Sequence, residues 1–235
     1  MNGEEGRWPD ERYWRRYTSD LYLLNAFPGS DDIETNWSQS MQDIFVLVMH
    51  HGKRNGTYIE IGADQPRIIS NTYLLESMFD WTGHSFELDK DKVEFWNTMR
   101  RNKCWCSDAT TINYKSFFEL MGMPKQIDYL QLDIDPPEGT LAALEKLPLD
   151  DYRFSVITYE HDLYAKSETK EASEKIFLEY GYERVLGNVS SPSPIRMNPY
   201  EDWWVDPNAI DRKIINYFKD TVSMDQVFMT VLPDQ

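Results

Sequence analysis

The chain has 235 residues, enough for one sizeable domain with a full core. A hydrophobic share of 41% with 14% aromatic residues excludes a disordered chain. A formal net charge of -16 argues against a nucleic-acid partner, since the short basic pairs Arg15-Arg16 and Arg100-Arg101 make no extended patch.

Residues 1–37 read as an N-terminal helical extension of a single domain spanning 1–235. Tyr13, Tyr17, Leu21 and Leu24 fall at helical spacing, giving a helix that packs on its own domain, covers a ligand site or meets a second copy in a homodimer. The first residues are too acidic and polar for a signal peptide, and no apolar run reaches membrane-spanning length. The expectation is a soluble cytoplasmic protein without a membrane partner, in which the sequons at Asn36, Asn55 and Asn188 carry no meaning. Cys104 and Cys106 sit one residue apart, a poor geometry for a disulfide, and read as reduced packing residues with a metal pair as the alternative.

Phe27-Pro28-Gly29-Ser30-Asp31-Asp32 is a turn, and residues 44–49 form an apolar helix ending near Gly52. Tyr58-Ile59-Glu60-Ile61 alternates as a first strand. Gly62-Ala63 ends it with residues too small to block a ligand. Ile68, Ile69, Tyr73, Leu74 and Leu75 supply the apolar positions of a following helix, whose amino end would face the turn. Trp81-Thr82-Gly83 reads as a turn before a second strand at 84–88. Helices are predicted at 91–101, 112–121 (as a turn or helix), 139–147, 166–180 and 208–218. Strands are predicted at 103–107, 126–133, 154–159, 182–188 and 202–206, and a Pro/Ser loop pairs the last two as an antiparallel hairpin.

This β/α alternation means a mainly parallel sheet covered on both faces, with ligands at the carboxyl ends of its strands. Those ends are acidic: Glu60, Glu87, Asp108, Asp133 to Glu138, and Glu160-His161-Asp162. One acidic strand end is a common turn feature, but five converging on one edge read as a polar site. Glu87 lies about twenty-five residues beyond Gly62, near the spacing at which a carboxylate reaches a cofactor's ribose hydroxyls.

Four pieces in order carry a resemblance over residues 38 to 160. They are Ser38-Gln39 with Gln42-Asp43, Glu60-Ile61-Gly62-Ala63 with Ser70-Asn71-Thr72, Trp81-Thr82-Gly83 leading to Glu87, and Leu132-Asp133-Ile134-Asp135 with Glu138. The chain resembles the FkbM-like family of S-adenosylmethionine-dependent methyltransferases. The resemblance implies an α/β, Rossmann-like class I methyltransferase fold, with a seven-stranded, mostly parallel sheet, an antiparallel last hairpin and helices on both faces. It also implies methyl transfer from S-adenosylmethionine, most often to a hydroxyl oxygen. Cofactor-binding positions would be Glu60, Gly62 and Ala63 at the methionine end, Glu87 at the ribose, and Asp108 with Ala109 at the adenine, with Asp64, Asn71 and Asp133 also among them. Where the family reads Gly-Ala-Asn-Asp-Gly, this chain has Gly62-Ala63-Asp64-Gln65-Pro66, and Pro66 removes an N–H from the turn. Pro136-Pro137 stands where the family has Gly after its fourth-strand acid.

Methyl transfer needs alignment of donor and acceptor and, for a hydroxyl, a proton acceptor. His161 is the first candidate base because its ordinary pKa lies nearest neutrality, with a structural histidine as the competing reading. Asp135 and Glu160 complete the candidate catalytic set. Asp133, Asp135 and Glu160 would either position the acceptor or hold Mg²⁺. Asp135-Pro136-Pro137 is also similar to the Asp-Pro-Pro motif of amino-group methyltransferases. The expected acceptor is a small molecule or a sugar. The alternatives are a non-catalytic binding protein of the same fold, and a nicotinamide-dependent oxidoreductase, against which the missing G-x-G-x-x-G counts.

Overall fold

The computed structural model describes residues 27–163, 167–190 and 198–221; the helix expected around Tyr13 to Leu24 lies outside them. One seven-stranded sheet organises the chain: β1 (Thr57–Ile61), β2 (Thr82–Glu87), β3 (Lys103–Cys106), β4 (Gln126–Leu132), β5 (Arg153–Glu160), β6 (Glu183–Val189) and β7 (Glu201–Val205). The strand order is β3-β2-β1-β4-β5-β7-β6. The first five strands run parallel, and β7 lies antiparallel between β5 and β6. This is the class I methyltransferase arrangement that the sequence implied.

Helices cover both faces: α1 (Gln42–Met49), α2 (Tyr73–Phe79), α3 (Lys90–Met99), α4 (Tyr114–Met121), α5 (Pro137–Lys146), α6 (Ser167–Glu179) and α7 (Arg212–Thr221). The two-residue period of the strands sorts the core. Tyr58, Tyr129 and Val156 pack with α1, α2 and α7 on one face. Ile59, Ile61, Leu130, Leu132 and Ile157 pack with α4, α5 and α6 on the other. All eight residues of α1 are buried, so this helix carries no solvent face. Its entry is organised by the buried Asp43 carboxylate, which accepts from the Trp37 and Ser38 N–H groups and the Ser38 hydroxyl.

Four local expectations need correction. Thr82 and Gly83 are not a turn: they open β2 beside Thr57 and Tyr58, while Asp80, in the left-handed region, closes α2. Gly83 is required there because a Cβ would lie 2.4 Å from the Tyr58 carbonyl oxygen. Ile68 and Ile69 are not helical, and Ile68 is exposed. The last helix starts at Arg212, because Asp206 accepts from the Asn208 N–H and holds the preceding residues in a turn. Cys104 packs with Val93 and Trp96 as expected, whereas Cys106 is exposed. Among the described residues no helix is long and apolar enough to cross a membrane.

The registers place Ile61 beside both Phe86 and Leu132, and Leu132 beside Tyr159, so the carboxyl ends of the central strands finish level. Gly62 makes the sharp exit from β1 with φ 83. A Cβ there would fall 1.6 Å from the Asp133 carbonyl oxygen, a backbone atom that cannot swing away. Gly62→Ala adds this clash to a left-handed backbone and should cost at least about 2 kcal/mol. Urea unfolding measures this, and an unchanged midpoint would show that the turn is not held as described.

Candidate active site

Above the level strand ends lies a cleft of about 620 Å³. Its first wall is the segment from Gly62 to Thr72. The Gly62 and Ala63 N–H groups both donate to the Phe86 carbonyl, at 3.0 and 3.1 Å. The next N–H, of Asp64, donates to Glu87 Oε2 at 3.0 Å, and the Asp89 N–H donates to Glu87 Oε1 at 2.8 Å. The Glu87 carboxylate is thus fixed by one backbone donor on each oxygen, and each oxygen keeps capacity for a further donor. Lys92 from α3 reaches across to Asp64 at 2.6 Å.

The helix after this turn starts later than the sequence reading placed it. It begins only at Tyr73, and the Ser70 hydroxyl accepts from both the Thr72 and Tyr73 N–H groups. The intervening loop takes left-handed backbone at Asp64 and Ile69. A β-branched residue rarely adopts that conformation. Arg100, whose side chain is 1% exposed, holds the loop. Its guanidinium donates to Glu76 at 2.8 Å, the Pro66 carbonyl at 2.8 Å, Ser70 at 3.3 Å, Thr72 at 3.1 Å and Tyr58 at 3.4 Å. Pro66 supplies no N–H, yet its carbonyl anchors the turn through this cation.

Glu60 sits between this network and the cleft, accepting from Thr72 at 2.9 Å and Ser85 at 2.7 Å. Burial pushes its carboxyl up to about 7 against the opposing charge of Arg100. Gln131, on the same face of the adjacent strand, accepts from the Ile61 N–H at 3.2 Å. Asn71 also lines the cleft, and its Oδ1 is buried without a hydrogen-bond partner. At the far wall Asp108 accepts from the Thr110 N–H and hydroxyl, bonds that hold its carboxyl below the usual range, and Ala109 follows it.

The remaining wall carries Asp133, Asp135 and Glu160. The Asp133 and Glu160 carboxyls are neighbours on this wall, close enough for each to shift the other's proton affinity. Burial pushes Asp133 up to about 6, with Glu160 opposing and the charges of Asp135 and Asp162 adding to the rise. Burial also raises Glu160 well above the usual carboxyl range, and Asp133, Asp162 and Glu201 add to that rise. Asp135 is exposed at the rim.

The structure therefore gathers Glu60, Gly62, Ala63, Asp64, Asn71 and Glu87 with Asp108, Ala109, Asp133, Asp135 and Glu160 around one cleft. His161 is not among them. It is fully buried below the rim, its Nδ1 accepts from the Leu163 N–H at 3.1 Å, and its Nε2 lies 3.3 Å from Asp202. The expected Mg²⁺ site is also corrected: among the described residues no three His, Cys, Asp or Glu side chains are grouped to hold a metal. Sequence reasoning missed Lys92, Gln131 and Arg100. The alternation that put Glu60 toward the site puts Gln131 on that same face, whereas nothing local marks Arg100.

These carboxyls set a pH dependence. Glu60 at about 7, Glu201 at about 8 and Asp133 at about 6 all bind protons more tightly folded than unfolded. For Glu201 burial is the main cause, opposed by bonds from Trp203 and Gln42. Their stabilisation is complete below the ordinary carboxyl pKa and is lost as pH rises toward 8. Asp202 works oppositely: burial alone would raise it, but His161 and Lys170 hold it far below its usual value, so its contribution disappears in strong acid. The melting temperature should therefore be higher at pH 5 than at pH 8.5, and Glu201→Gln should flatten much of that slope. Equal slopes in wild type and variant would remove Glu201 from the account.

No family model and no curated protein matches the chain. Among solved structures it is similar to a presumed rRNA methylase from Clostridium thermocellum, at 10% identity over 73% of this chain and 97% of that one, with a TM-score of 0.49. It is also similar to the METTL16 methyltransferase domain lacking its N terminus, at 12% identity over 83% and 95%, with a TM-score of 0.47. A third likeness is to Aeropyrum pernix fibrillarin in complex with natively bound S-adenosyl-L-methionine, at 13% identity over 65% and 67%, with a TM-score of 0.42. The architecture assigned above stands on the strand order itself, independently of these likenesses.

Proposed function

We propose that this cleft binds S-adenosylmethionine and that the protein transfers its methyl group to a hydroxyl of a small molecule or sugar. The carrying observation is the charge of the cleft. Its lining includes eight carboxylic side chains and one lysine, Lys92. Such a wall repels the pyrophosphate of a dinucleotide, and the helix after the β1 turn starts only at Tyr73, whose N–H donates to the Ser70 hydroxyl. A cofactor that carries a sulfonium and an ammonium suits it. The fixed Glu87 carboxylate fits two ribose hydroxyls, and the orphaned Asn71 Oδ1 fits a donor from the methionine end.

When bound, the cofactor supplies a methyl group activated by the sulfonium, and the C–S electron pair stays on sulfur as the new C–O bond forms. The residues of this chain supply the rest. Glu87 and the Gly62–Thr72 wall orient the donor. The neighbouring Asp133 and Glu160 carboxyls at the opposite wall take the hydroxyl proton, and Asp135 contacts the acceptor at the rim. His161 acts as a positioning residue that braces the end of β5 against Asp202.

Two measurements test this. Glu87→Ala should weaken S-adenosylhomocysteine binding, measured by calorimetry, by roughly 1.5–3 kcal/mol; an unchanged affinity removes Glu87 from the ribose site. Glu160→Gln should slow methyl transfer about 10²–10³-fold and abolish the rise of rate with pH, while S-adenosylhomocysteine affinity stays nearly constant. A Glu160→Gln enzyme with the wild-type rate and pH profile would exclude the pair as the proton acceptor.

A further inference from the structure

We infer that a second cavity, bordered by the loop after β1, binds a small organic carboxylate with an apolar body, seated on the Arg67 guanidinium. This site is separate from the cleft and does not depend on the methyltransferase reading.

The first observation is the cavity itself. It holds about 260 Å³ between residues 35–38, the loop at 65–69 and α3. Among the described residues Ile69 alone, held at φ 58, lines both this space and the cleft. Ligand pockets commonly span about 300–1,000 Å³, so the space suits a molecule with one ring or a short chain. Its wall carries Ile68, Phe95 and Met99, exposed at 43%, 52% and 51%. Single exposed apolar residues need no explanation, but three large ones gathered with Pro66 at one cavity point to a binding surface.

The second observation is Arg67, which also lines the cavity. Every other described arginine pairs with a carboxylate. Among the described residues Arg67 forms neither an ion pair nor a hydrogen bond, in a chain with 40 acidic residues. Its guanidinium carbon instead stands 4.1 Å from the centre of the Trp37 ring and 5.5 Å from that of Tyr73. Stacking occupies the faces of the guanidinium plane and leaves its N–H fork open at the edge. That fork receives a carboxylate on two parallel bonds. No Asp or Glu lines the cavity, whereas eight carboxylic side chains line the cleft.

Together these select the occupant. A bare inorganic anion would leave the apolar wall uncovered, and an apolar or cationic molecule would leave the guanidinium without a partner. A carboxylate on a phenyl or alkyl body answers both, with its charge on Arg67 and its body against Pro66, Ile68, Phe95 and Met99. The acidic cleft repels the same anion, so the two spaces sort ligands by charge.

The test titrates the full chain by calorimetry with 3-phenylpropionate, octanoate, acetate and 3-phenylpropanamide. At least one of the two apolar carboxylates should bind once per chain with a Kd below about 1 mM, and acetate and the amide about tenfold or more weakly. Arg67→Gln should weaken the bound carboxylate about tenfold or more. Its melting temperature should stay within about 2 °C of wild type, because the side chain is exposed. Phe95→Ser should weaken the same carboxylate at least about threefold. Binding of neither apolar carboxylate overturns the inference, as does acetate binding as tightly or an unchanged affinity in Arg67→Gln. Displacement of the carboxylate by S-adenosylhomocysteine also overturns it, since the ligand would then lie in the cleft. So does a dimer in sedimentation that Phe95→Ser makes monomeric, because a second copy would then cover the wall.

Discussion

One buried guanidinium holds one wall of the cleft together. Arg100 leaves the end of α3 and spends its donors on β1, on α2 and on three points of the loop between them. Its aliphatic and planar parts lie over Trp96 at 4.5 Å. Removing one partner from a buried ion pair typically costs about 3–5 kcal/mol because the other charge is stranded. Here the stranded group would be Glu76, with Glu60 nearby in the same network. The loop that departs from family expectation at Pro66 is therefore not loose. Its carbonyl, rather than its missing N–H, is what the fold uses.

The opposite side of the cleft follows the reverse logic. There the acids are neighbours of one another, and burial raises their proton affinity. Each tenfold rise in proton affinity over the unfolded chain corresponds to about 1.4 kcal/mol between the two protonation states. Such an arrangement is poor for stability at alkaline pH and suited to accepting a proton. The two walls thus divide the work. One is held by Arg100 and Lys92 and shaped by backbone donors, while the other gathers carboxyls whose proton affinity burial raises.

Much of this was legible in the sequence. The β/α alternation and the acidic strand ends located the sheet and its functional edge, because strands and ligand sites follow local periodicity and turn chemistry. Eleven candidate positions, from Glu60 to Glu160, line one cleft because parallel registers bring strand ends level. His161 failed as a cleft residue for a simple reason. It directly follows β5, and its side chain is fully buried against Asp202 and the Leu163 N–H rather than lining the cleft. The metal reading found no support because residue type showed three carboxylates but not whether their side chains would group as ligands, and among the described residues they do not. Arg100 was invisible because its partners are scattered from Tyr58 to Glu76, and only the folded chain brings them within reach. The late start of α2 was missed because Ile68 and Ile69 imitate helical spacing while the Ser70 hydroxyl caps the helix further on.

The central claim is that an acidic cleft with a pre-fixed Glu87 accepts a cationic nucleoside cofactor and rejects a dinucleotide. Native mass spectrometry of the full chain with equal concentrations of S-adenosylhomocysteine and NADH tests it most directly. One S-adenosylhomocysteine per chain and no retained NADH is the predicted result. Retention of NADH, or of neither compound, would contradict the account.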